Sequence, residues 1–212
     1  MTKTIFWNVD TQYDFMSPNG KLSIAGAMDI AGNLERLTNL ATRNWIQVIN
    51  TADYHTIVSR EISDSPDFKT TFPVHCMEET SGAKYIAETE PQHPHVIHWR
   101  DSSFASDKVR GTRNIVLYKD EFDCFHPTGA PHTGEVLRII EPEKVVVYGV
   151  ATNVCVDFAV RGLQQRGYEV YVPMDAIKEL PMLPLEETIE KWRVLGVHLT
   201  TTKRVEKDLR GK

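Results

Sequence analysis

Apolar and polar residues alternate along the chain in blocks that predict a repeating order of strands and helices. Short apolar runs typical of strands buried on both faces of a parallel sheet lie at 4–10, 45–51, 114–119, 145–149, 168–173 and 197–201. Apolar residues recur at the spacing of a one-faced helix over 29–44, 133–140, 155–167 and 185–195. The pattern predicts a three-layer α/β/α fold whose central, mostly parallel sheet has about six strands, with helices on both faces.

Composition adds that the chain suits a single domain. Its 212 residues, 41% of them hydrophobic and 25% charged, are enough for one substantial core. No internal repeat, low-complexity stretch or linker interrupts 1–212, so we expect one domain over that whole range. The charged final segment, 203–212, is expected to be frayed.

The net charge indicates which kind of partner the protein binds, and the cysteine content indicates the redox state of its compartment. A formal net charge of −5 without a Lys or Arg cluster argues against nucleic acid and anionic membranes and favours a small-molecule partner. No apolar run approaches the roughly 20 residues of a membrane span, and the start of the chain lacks the features of a signal peptide. The cysteines at 76, 124 and 155 favour free thiols. We expect a cytoplasmic protein, and a homo-oligomer is compatible with the sequence.

The stretch from Val145 to Val160 places a cysteine where a buried strand gives way to a helix. The strand ends at Gly149, and Thr152 or Asn153 offers an oxygen that could cap the helix. Cys155 is then predicted in the first helical turn, beyond the carboxyl end of a central strand, where open α/β sheets bind ligands. The helix start favours a thiolate there. A buried, inert cysteine is the alternative, and position alone does not decide between the two.

Two other predicted strands end in charged residues. Asp10 closes the first strand and would point into the same crevice as Cys155 if the two strands are neighbours, which makes it a candidate base. On its own, such an aspartate more often caps a turn. Lys119 closes the strand at 114–119, a place where a lysine is usually a solvated cation.

The strand at 45–51 is followed by residue types that bind metals. Asp53 and His55 are two apart in an extended segment and so project to the same side, and His75 follows on a loop. Three protein ligands would leave an open metal position for water and substrate. Solvated loop side chains are the alternative. The histidines at 93, 95 and 98 flank a further strand-like segment, 96–99, and are expected on a surface edge instead of in a second metal site.

Several of these segments together resemble the cysteine-hydrolase superfamily that holds nicotinamidases and isochorismatases, in its nicotinamidase form. The resemblance covers most of the chain, and its motifs follow the family's order. The matching positions are Asp10, Gln12, Asp14, Phe15, Asp53, His55, His75, Lys119, Phe125 and Gly149 to Val156.

The resemblance implies an isochorismatase-like, Rossmann-like fold and specific residue roles. The implied catalytic triad is Asp10, Lys119 and Cys155. Backbone N–H groups of Ala151 and Cys155 would form the oxyanion hole, beside a cis peptide bond that joins Val150 to Ala151. The implied metal ligands are Asp53, His55 and His75. Phe15, Phe72 and Phe125 would line the substrate pocket.

The sequence departs from the family pattern near the implied metal. Tyr54 and Phe72 stand where tryptophan is common, and they are expected to keep flat rings near the pocket. Some members add a carboxylate ligand from the intervening loop. The available residues are Glu61, Asp64 and Asp67, of which Asp67 is the first choice by spacing; Cys76 is expected to pack. The cofactor is expected to be a divalent metal, with zinc suiting the ligand set best and iron or manganese also fitting.

The activity that the resemblance implies is hydrolysis of nicotinamide to nicotinate and ammonia through a cysteine thioester, a step of NAD salvage. Pyrazinamide is a further substrate by similarity of ring. One alternative is a hydrolase of another small carboxamide or carbamoyl compound. The other is a protein that binds a metal or small molecule without catalysis, or a redox sensor that uses Cys155.

Overall fold

The computed structural model describes residues 3–181 and 184–210, and its centre is an eight-stranded sheet in which neighbouring strands pair in parallel. The strand order is β3-β4-β2-β1-β5-β6-β8, and β7 pairs with β5. The strands span Thr4–Val9 (β1), Val48–Asp53 (β2), His95–Ile97 (β3), Asn114–Lys119 (β4), Lys144–Val150 (β5), Glu169–Pro173 (β6), Ile177–Lys178 (β7) and His198–Thr200 (β8).

Helices cover both faces of this sheet. They span Tyr13–Met16 (α1), Ala31–Arg43 (α2), Ser106–Gly111 (α3), Thr133–Ile140 (α4), Cys155–Gln165 (α5), Leu185–Val194 (α6) and Thr202–Arg210 (α7). Right-handed crossovers put α2 and α7, which pack together, on one face, and α5 with its neighbour α6 on the other. Within the described ranges, no helix has both the length and the apolar character needed to cross a membrane.

The predicted α/β fold with a mostly parallel sheet is confirmed. The sheet has eight strands instead of about six. One of the additional strands is β3, which the strand-like segment at 96–99 indicated. The other is β7, whose two residues are too few to produce a hydrophobic pattern.

The expectation of a frayed carboxyl-terminal segment is wrong for its described part. Residues 202–210 form α7, in which Thr202 and Val205 are buried. The N–H of Thr202 donates to Asp175 Oδ1 at 2.7 Å, and Arg36 on α2 pairs with Glu206 at 2.9 Å. Most residues of this helix are charged, and Val205 is its one buried apolar residue, so the sequence shows no helical hydrophobic pattern there. Residues 211 and 212 lie outside the described ranges.

Four adjacent strands, in the order β4, β2, β1 and β5, end at one edge of the sheet. Strand β5 is buried from Val145 to Val150, as its uninterrupted apolar run predicts. It lies against β1 so closely that a Cβ on Gly149, which has φ +119°, would stand 2.1 Å from the carbonyl oxygen of Val9. Only glycine fits there. The carboxyl ends of these four strands carry the residues of the candidate site.

Candidate active site

Among the three residues predicted to form a triad, a buried lysine lies between the other two. Lys119 Nζ lies 3.0 Å from Asp10 Oδ2 and 3.9 Å from Cys155 Sγ. It also forms a short ion pair with Asp53 Oδ1. All four side chains are buried. The ends of β1, β2 and β4 and the start of α5 therefore converge on one cluster of a thiol, two carboxylates and an ammonium group.

Burial decides the resting protonation of the cysteine. It raises the pKa of the Cys155 thiol well above its ordinary value, Lys119 opposes this, and the nearby carboxylates of Asp10 and Asp53 add to it. A carboxylate oxygen of Asp10 lies within 4.8 Å of the Cys155 sulfur, and Asp10 Oδ1 accepts a hydrogen bond from Thr51 at 2.7 Å. Burial therefore opposes the thiolate that the helix start favours. The nearby carboxylate of Asp10 is a group that can accept the thiol proton.

Helix α5 begins at Cys155, as predicted, but neither predicted cap is used. The residue before the helix is Val154, with no side-chain cap. Asn153 instead bonds the backbone of Leu180 through both amide atoms, at 2.8 and 2.9 Å. N–H groups in the first turn of a helix have no intrahelical acceptor, so that of Cys155 can bind an oxyanion. The Val150–Ala151 peptide bond beside it is cis, as the resemblance implies.

The three predicted metal ligands also lie together. Asp53 Oδ2 is 3.8 Å from His55 Nε2 and 3.7 Å from His75 Nε2, and one ligand atom of each residue lies within 4.8 Å of the others. The extended backbone at the end of β2 directs Asp53 and His55 to the same side. A loop brings His75 to them, where its ring packs 5.2 Å from that of Phe15.

Hydrogen bonds on the outer side of each imidazole turn Nε2 toward Asp53. His75 Nδ1 donates to the carbonyl oxygen of Pro73 at 2.7 Å, and His55 Nδ1 lies 3.2 Å from Asp120 Oδ1. His55 Nε2 is buried and has no hydrogen-bond partner. A buried nitrogen without a partner, beside a carboxylate and a second imidazole, fits a divalent ion. Asp53, His55 and His75 therefore form a candidate metal site.

The charges around this set follow from burial and close contact. Burial disfavours the charged form of Asp53, but Lys119 and the two histidines outweigh it and hold the pKa of Asp53 well below its usual value. Burial lowers the pKa of His55, but the nearby carboxylates of Asp120, Asp53 and Glu61 outweigh burial and raise it to about 9. The carboxylates around His55 thus favour a positive charge at that position.

A fourth side chain, a carboxylate, reaches the metal set of Asp53, His55 and His75, and it is not the one expected from spacing. Glu61 is 2% exposed, its Oε2 lies 3.8 Å from His55 Nε2, and its other oxygen accepts the N–H of Phe122. Burial and the charge of Asp53 raise the pKa of Glu61 to about 9.

The choice of Asp67 by spacing is wrong. Its exposed carboxylate accepts N–H groups of its own loop, those of Lys69 at 2.9 Å and Thr70 at 2.8 Å. Asp64 is exposed as well.

A narrow cavity opens between the thiol and the metal set. Its volume of about 20 Å³ is close to that of one water-sized sphere, so a substrate has to displace wall side chains on entry. The lining residues are Phe15, Leu22, Ile24, Asp53, Glu61, Phe72, His75, Phe122, Ala151, Val154, Cys155 and Leu180.

Two of the expected aromatic contacts lie elsewhere. Phe125 packs against α5, with its ring beneath the guanidinium of Arg166 at 3.9 Å and so close to Gly162 that a Cβ there would overlap it. The ring in the cavity is that of Phe122, three residues earlier. Tyr54 alternates with Asp53 and His55, so it points to the opposite side and stacks on Tyr118 at 4.0 Å. Phe15 and Phe72 lie in the cavity wall.

Comparison with known proteins identifies the family. The family model described as "Isochorismatase domain" matches residues 4–204. The chain belongs to the isochorismatase family. Nicotinamidase from Saccharomyces cerevisiae is 24% identical over 197 residues, which cover 79% of this chain and 84% of that protein.

Solved structures of other proteins share the fold. The pyrazinamidase of Pyrococcus horikoshii, solved in complex with zinc, has a TM-score of 0.74 at 20% identity and covers 94% of this chain and 99% of its own. The N-carbamoylsarcosine amidase from Thermoplasma acidophilum has a TM-score of 0.72 at 21% identity, with 95% and 97% covered. These two structures show the fold that the chain shares, and relatives with different named substrates resemble it about equally.

Gln12, part of the family motif that opens the chain, has a positioning role that the sequence did not specify. Its side-chain amide donates to the carbonyl oxygens of Asp53 at 2.7 Å and Ala83 at 2.8 Å. Its carbonyl oxygen accepts the N–H of Asp53 at 2.8 Å. Asp14 similarly accepts the N–H of Cys76, next to His75, at 2.8 Å. These two side chains fix the backbone that presents the metal ligands.

Cys76 packs as predicted, and the segment that carries His93, His95 and His98 lies at the edge of the sheet as predicted. Cys76 is buried, and its sulfur faces the carbonyl oxygen of Gly82 at 3.8 Å. In the described ranges, no group of metal-ligating side chains includes Cys76, His93, His95 or His98. His95 opens β3, the strand at the edge of the sheet.

Proposed function

We propose that the chain is a metal-dependent nicotinamidase, which hydrolyses nicotinamide to nicotinate and ammonia through a thioester on Cys155. One observation carries the proposal. Asp53 contacts Lys119 with one carboxylate oxygen and faces His55 and His75 with the other. The triad and the metal set therefore share a residue and open on one cavity, where an amide carbon and a ring nitrogen of the same small molecule can be held.

In the first half of the reaction, Asp10 removes the thiol proton of Cys155 as the sulfur attacks the amide carbon. Negative charge develops on the carbonyl oxygen, where the backbone N–H groups of Cys155 and Ala151 stabilise it. Asp10 returns the proton to the amide nitrogen, the carbon–nitrogen bond breaks, and ammonia leaves. Lys119 keeps Asp10 charged and in place at 3.0 Å.

In the second half, water cleaves the thioester. Asp10 now removes a proton from water, and the resulting oxygen nucleophile attacks the thioester carbon within the same oxyanion hole. The carbon–sulfur bond breaks, the thiolate of Cys155 regains its proton, and the carboxylic acid leaves. One amide and one water are consumed for each acid and ammonia formed.

The metal set would hold the substrate ring. A divalent ion on Asp53, His55 and His75, with Glu61 as a fourth ligand, would supply a Lewis acid for the pyridine nitrogen of nicotinamide. Zinc suits these ligands best, and iron or manganese also fits them. Phe15, Phe72 and Phe122 give the ring flat apolar walls. In the cell, the enzyme would act in cytoplasmic NAD salvage.

Relatives support this choice and one alternative. The similarity to a nicotinamidase and to a zinc-containing pyrazinamidase favours an aromatic carboxamide. The equal likeness to an N-carbamoylsarcosine amidase favours a small carbamoyl compound instead. The metal set supports the first, because a carbamoyl group on an aliphatic substrate has no ring nitrogen to bind.

The test is ammonia release by zinc-loaded protein from nicotinamide, pyrazinamide and N-carbamoylsarcosine, compared in parallel. We expect turnover of both aromatic amides, and its loss on chelation and in Cys155→Ala. Cys155→Ala should still bind nicotinamide, because the substitution leaves the metal set intact. Turnover of N-carbamoylsarcosine alone would establish the alternative, and binding without turnover of any amide would indicate a non-catalytic protein.

A further inference from the structure

The two candidate histidine ligands are held in different ways. The outer nitrogen of His75 donates to a backbone carbonyl, that of Pro73, at 2.7 Å. The outer nitrogen of His55 faces a side chain, Asp120 Oδ1, at 3.2 Å. A side-chain substitution can therefore release the ring of His55 and leave that of His75 unchanged.

A serine fixes the carboxylate of Asp120. Ser59 Oγ donates a short hydrogen bond to the same oxygen, Asp120 Oδ1, that faces His55. That hydroxyl accepts the N–H of Thr56 at 2.8 Å, which leaves its proton for the carboxylate. The N–H of Asp120 donates to the carbonyl oxygen of Gly129 at 2.9 Å. The carboxylate is thus positioned from several sides and is 17% exposed.

We propose that Asp120 is a positioning residue, which holds the Nδ1 proton of His55 and thereby turns Nε2 toward the metal. The inference rests on the proposed function for the metal site, and it adds a residue that the family motifs do not nominate. Its physical basis is that a carboxylate accepts the Nδ1 proton, fixes the tautomer and the ring orientation, and makes Nε2 a better ligand.

Asp120 also links the metal set to the triad through its position in the chain. Asp120 follows Lys119 directly, and the carbonyl oxygen of Lys119 accepts the N–H of Tyr54 at 2.9 Å. Two consecutive residues therefore supply the cation of the triad, Lys119, and the side chain that positions His55, Asp120. A shift in this segment would move Lys119 and Asp120 together and would therefore disturb the triad and the metal set at once.

The experiment measures Co²⁺ affinity and the visible absorption of the Co²⁺ complex for full-length wild-type protein and variants, without substrate. In Asp120→Ala we expect an affinity roughly 10- to 100-fold weaker and altered Co²⁺ absorption. Asp120→Asn keeps an oxygen acceptor and should rescue part of the loss. Asp107→Asn removes an exposed carboxylate in the first turn of α3 and is the matched control. Circular dichroism and thermal unfolding verify that each variant is folded.

The outcomes separate this inference from the proposed function. If Asp120→Ala binds Co²⁺ as tightly as wild type, while His55→Ala does not, the positioning role is refuted and the metal site stands. If neither the wild type nor any variant binds Co²⁺, both are refuted. If the variants behave as expected but nicotinamide is not hydrolysed, the positioning role stands and the nicotinamidase assignment fails. If Asp120→Asn and Asp120→Ala are equally impaired, the hydrogen-bond explanation is wrong.

Discussion

Replacement of Lys119 by Met tests whether the site depends on one buried cation between two carboxylates. Lys119 is 1% exposed, its Nζ lies 3.0 Å from Asp10 Oδ2, and it forms a short ion pair with Asp53. Asp10 and Asp53 each have an oxygen within 4.8 Å of the other. Methionine has a similar length but no charge, so the substitution leaves two buried carboxylates without a counter-ion.

The expected loss is large because the pair is buried. Removing one partner of a buried ion pair costs about 3–5 kcal/mol, and we expect that decrease in the unfolding free energy of the metal-free variant at pH 7. The pKa of Asp10, already raised by burial, should rise further without Lys119. A protonated Asp10 cannot act as the base, so the turnover of metal-loaded protein should fall by about 10²- to 10⁴-fold.

The assay is urea unfolding in a chelator, followed by tryptophan fluorescence, together with ammonia release. Lys144→Met is the matched control: its Nζ is also 3.0 Å from a carboxylate, that of Glu169, but the two side chains are 29% and 39% exposed. That surface pair should contribute only about 0–1 kcal/mol. Adding Asp10→Asn to Lys119→Met should recover stability without activity. A Lys119→Met protein no less stable than Lys144→Met would refute the reasoning.

Two further predictions concern the charges and the cavity wall. With metal chelated, the unfolding free energy should fall as pH rises from 6.5 to 9, because the pKa of His55 is about 9 in the folded protein against an ordinary 6.5. The folded state then holds a proton that the unfolded state has lost, at a cost of up to about 1.4 kcal/mol per pH unit. Glu61, with a pKa of about 9, acts in the same direction, so urea unfolding that shows constant or rising stability would contradict this assignment. Phe122→Ala should raise KM for nicotinamide roughly tenfold, or ~1.4 kcal/mol, because its ring lines the cavity. Phe125→Ala should lower Tm and leave KM unchanged. The reverse pattern in kinetics and thermal unfolding would show that Phe125, the residue chosen from sequence, contacts the substrate.

The strand ends of the site could be predicted from sequence because a parallel sheet imposes their convergence. Once β1, β2, β4 and β5 are recognised, Asp10, Asp53, Lys119 and the start of α5 must meet at one edge. The two-residue period of an extended chain also places Asp53 and His55 on one side. These positions follow from local pattern and topology, without knowledge of any loop.

The loop contributions could not be predicted, because contacts between distant segments determine them. Glu61 reaches the metal set because its carbonyl oxygen accepts the N–H of Phe72 at 2.7 Å, which folds the loop inward. Asp67 is better placed by spacing, yet it caps its own turn. After β4 the chain has no regular period, so nothing in the sequence distinguishes Phe122 from Phe125.

The central claim is that the thiol of Cys155, paired with Asp10 and Lys119, attacks the amide carbon and carries the acyl group. It is tested most directly by acid-quenching zinc-loaded protein during turnover of nicotinamide and analysing the protein by peptide mass spectrometry. We predict a nicotinoyl group on the peptide that contains Cys155, at a level that rises and decays with substrate consumption and is absent in Cys155→Ala. Ammonia release that continues in Cys155→Ala, or an acyl group found on another residue, would contradict the account.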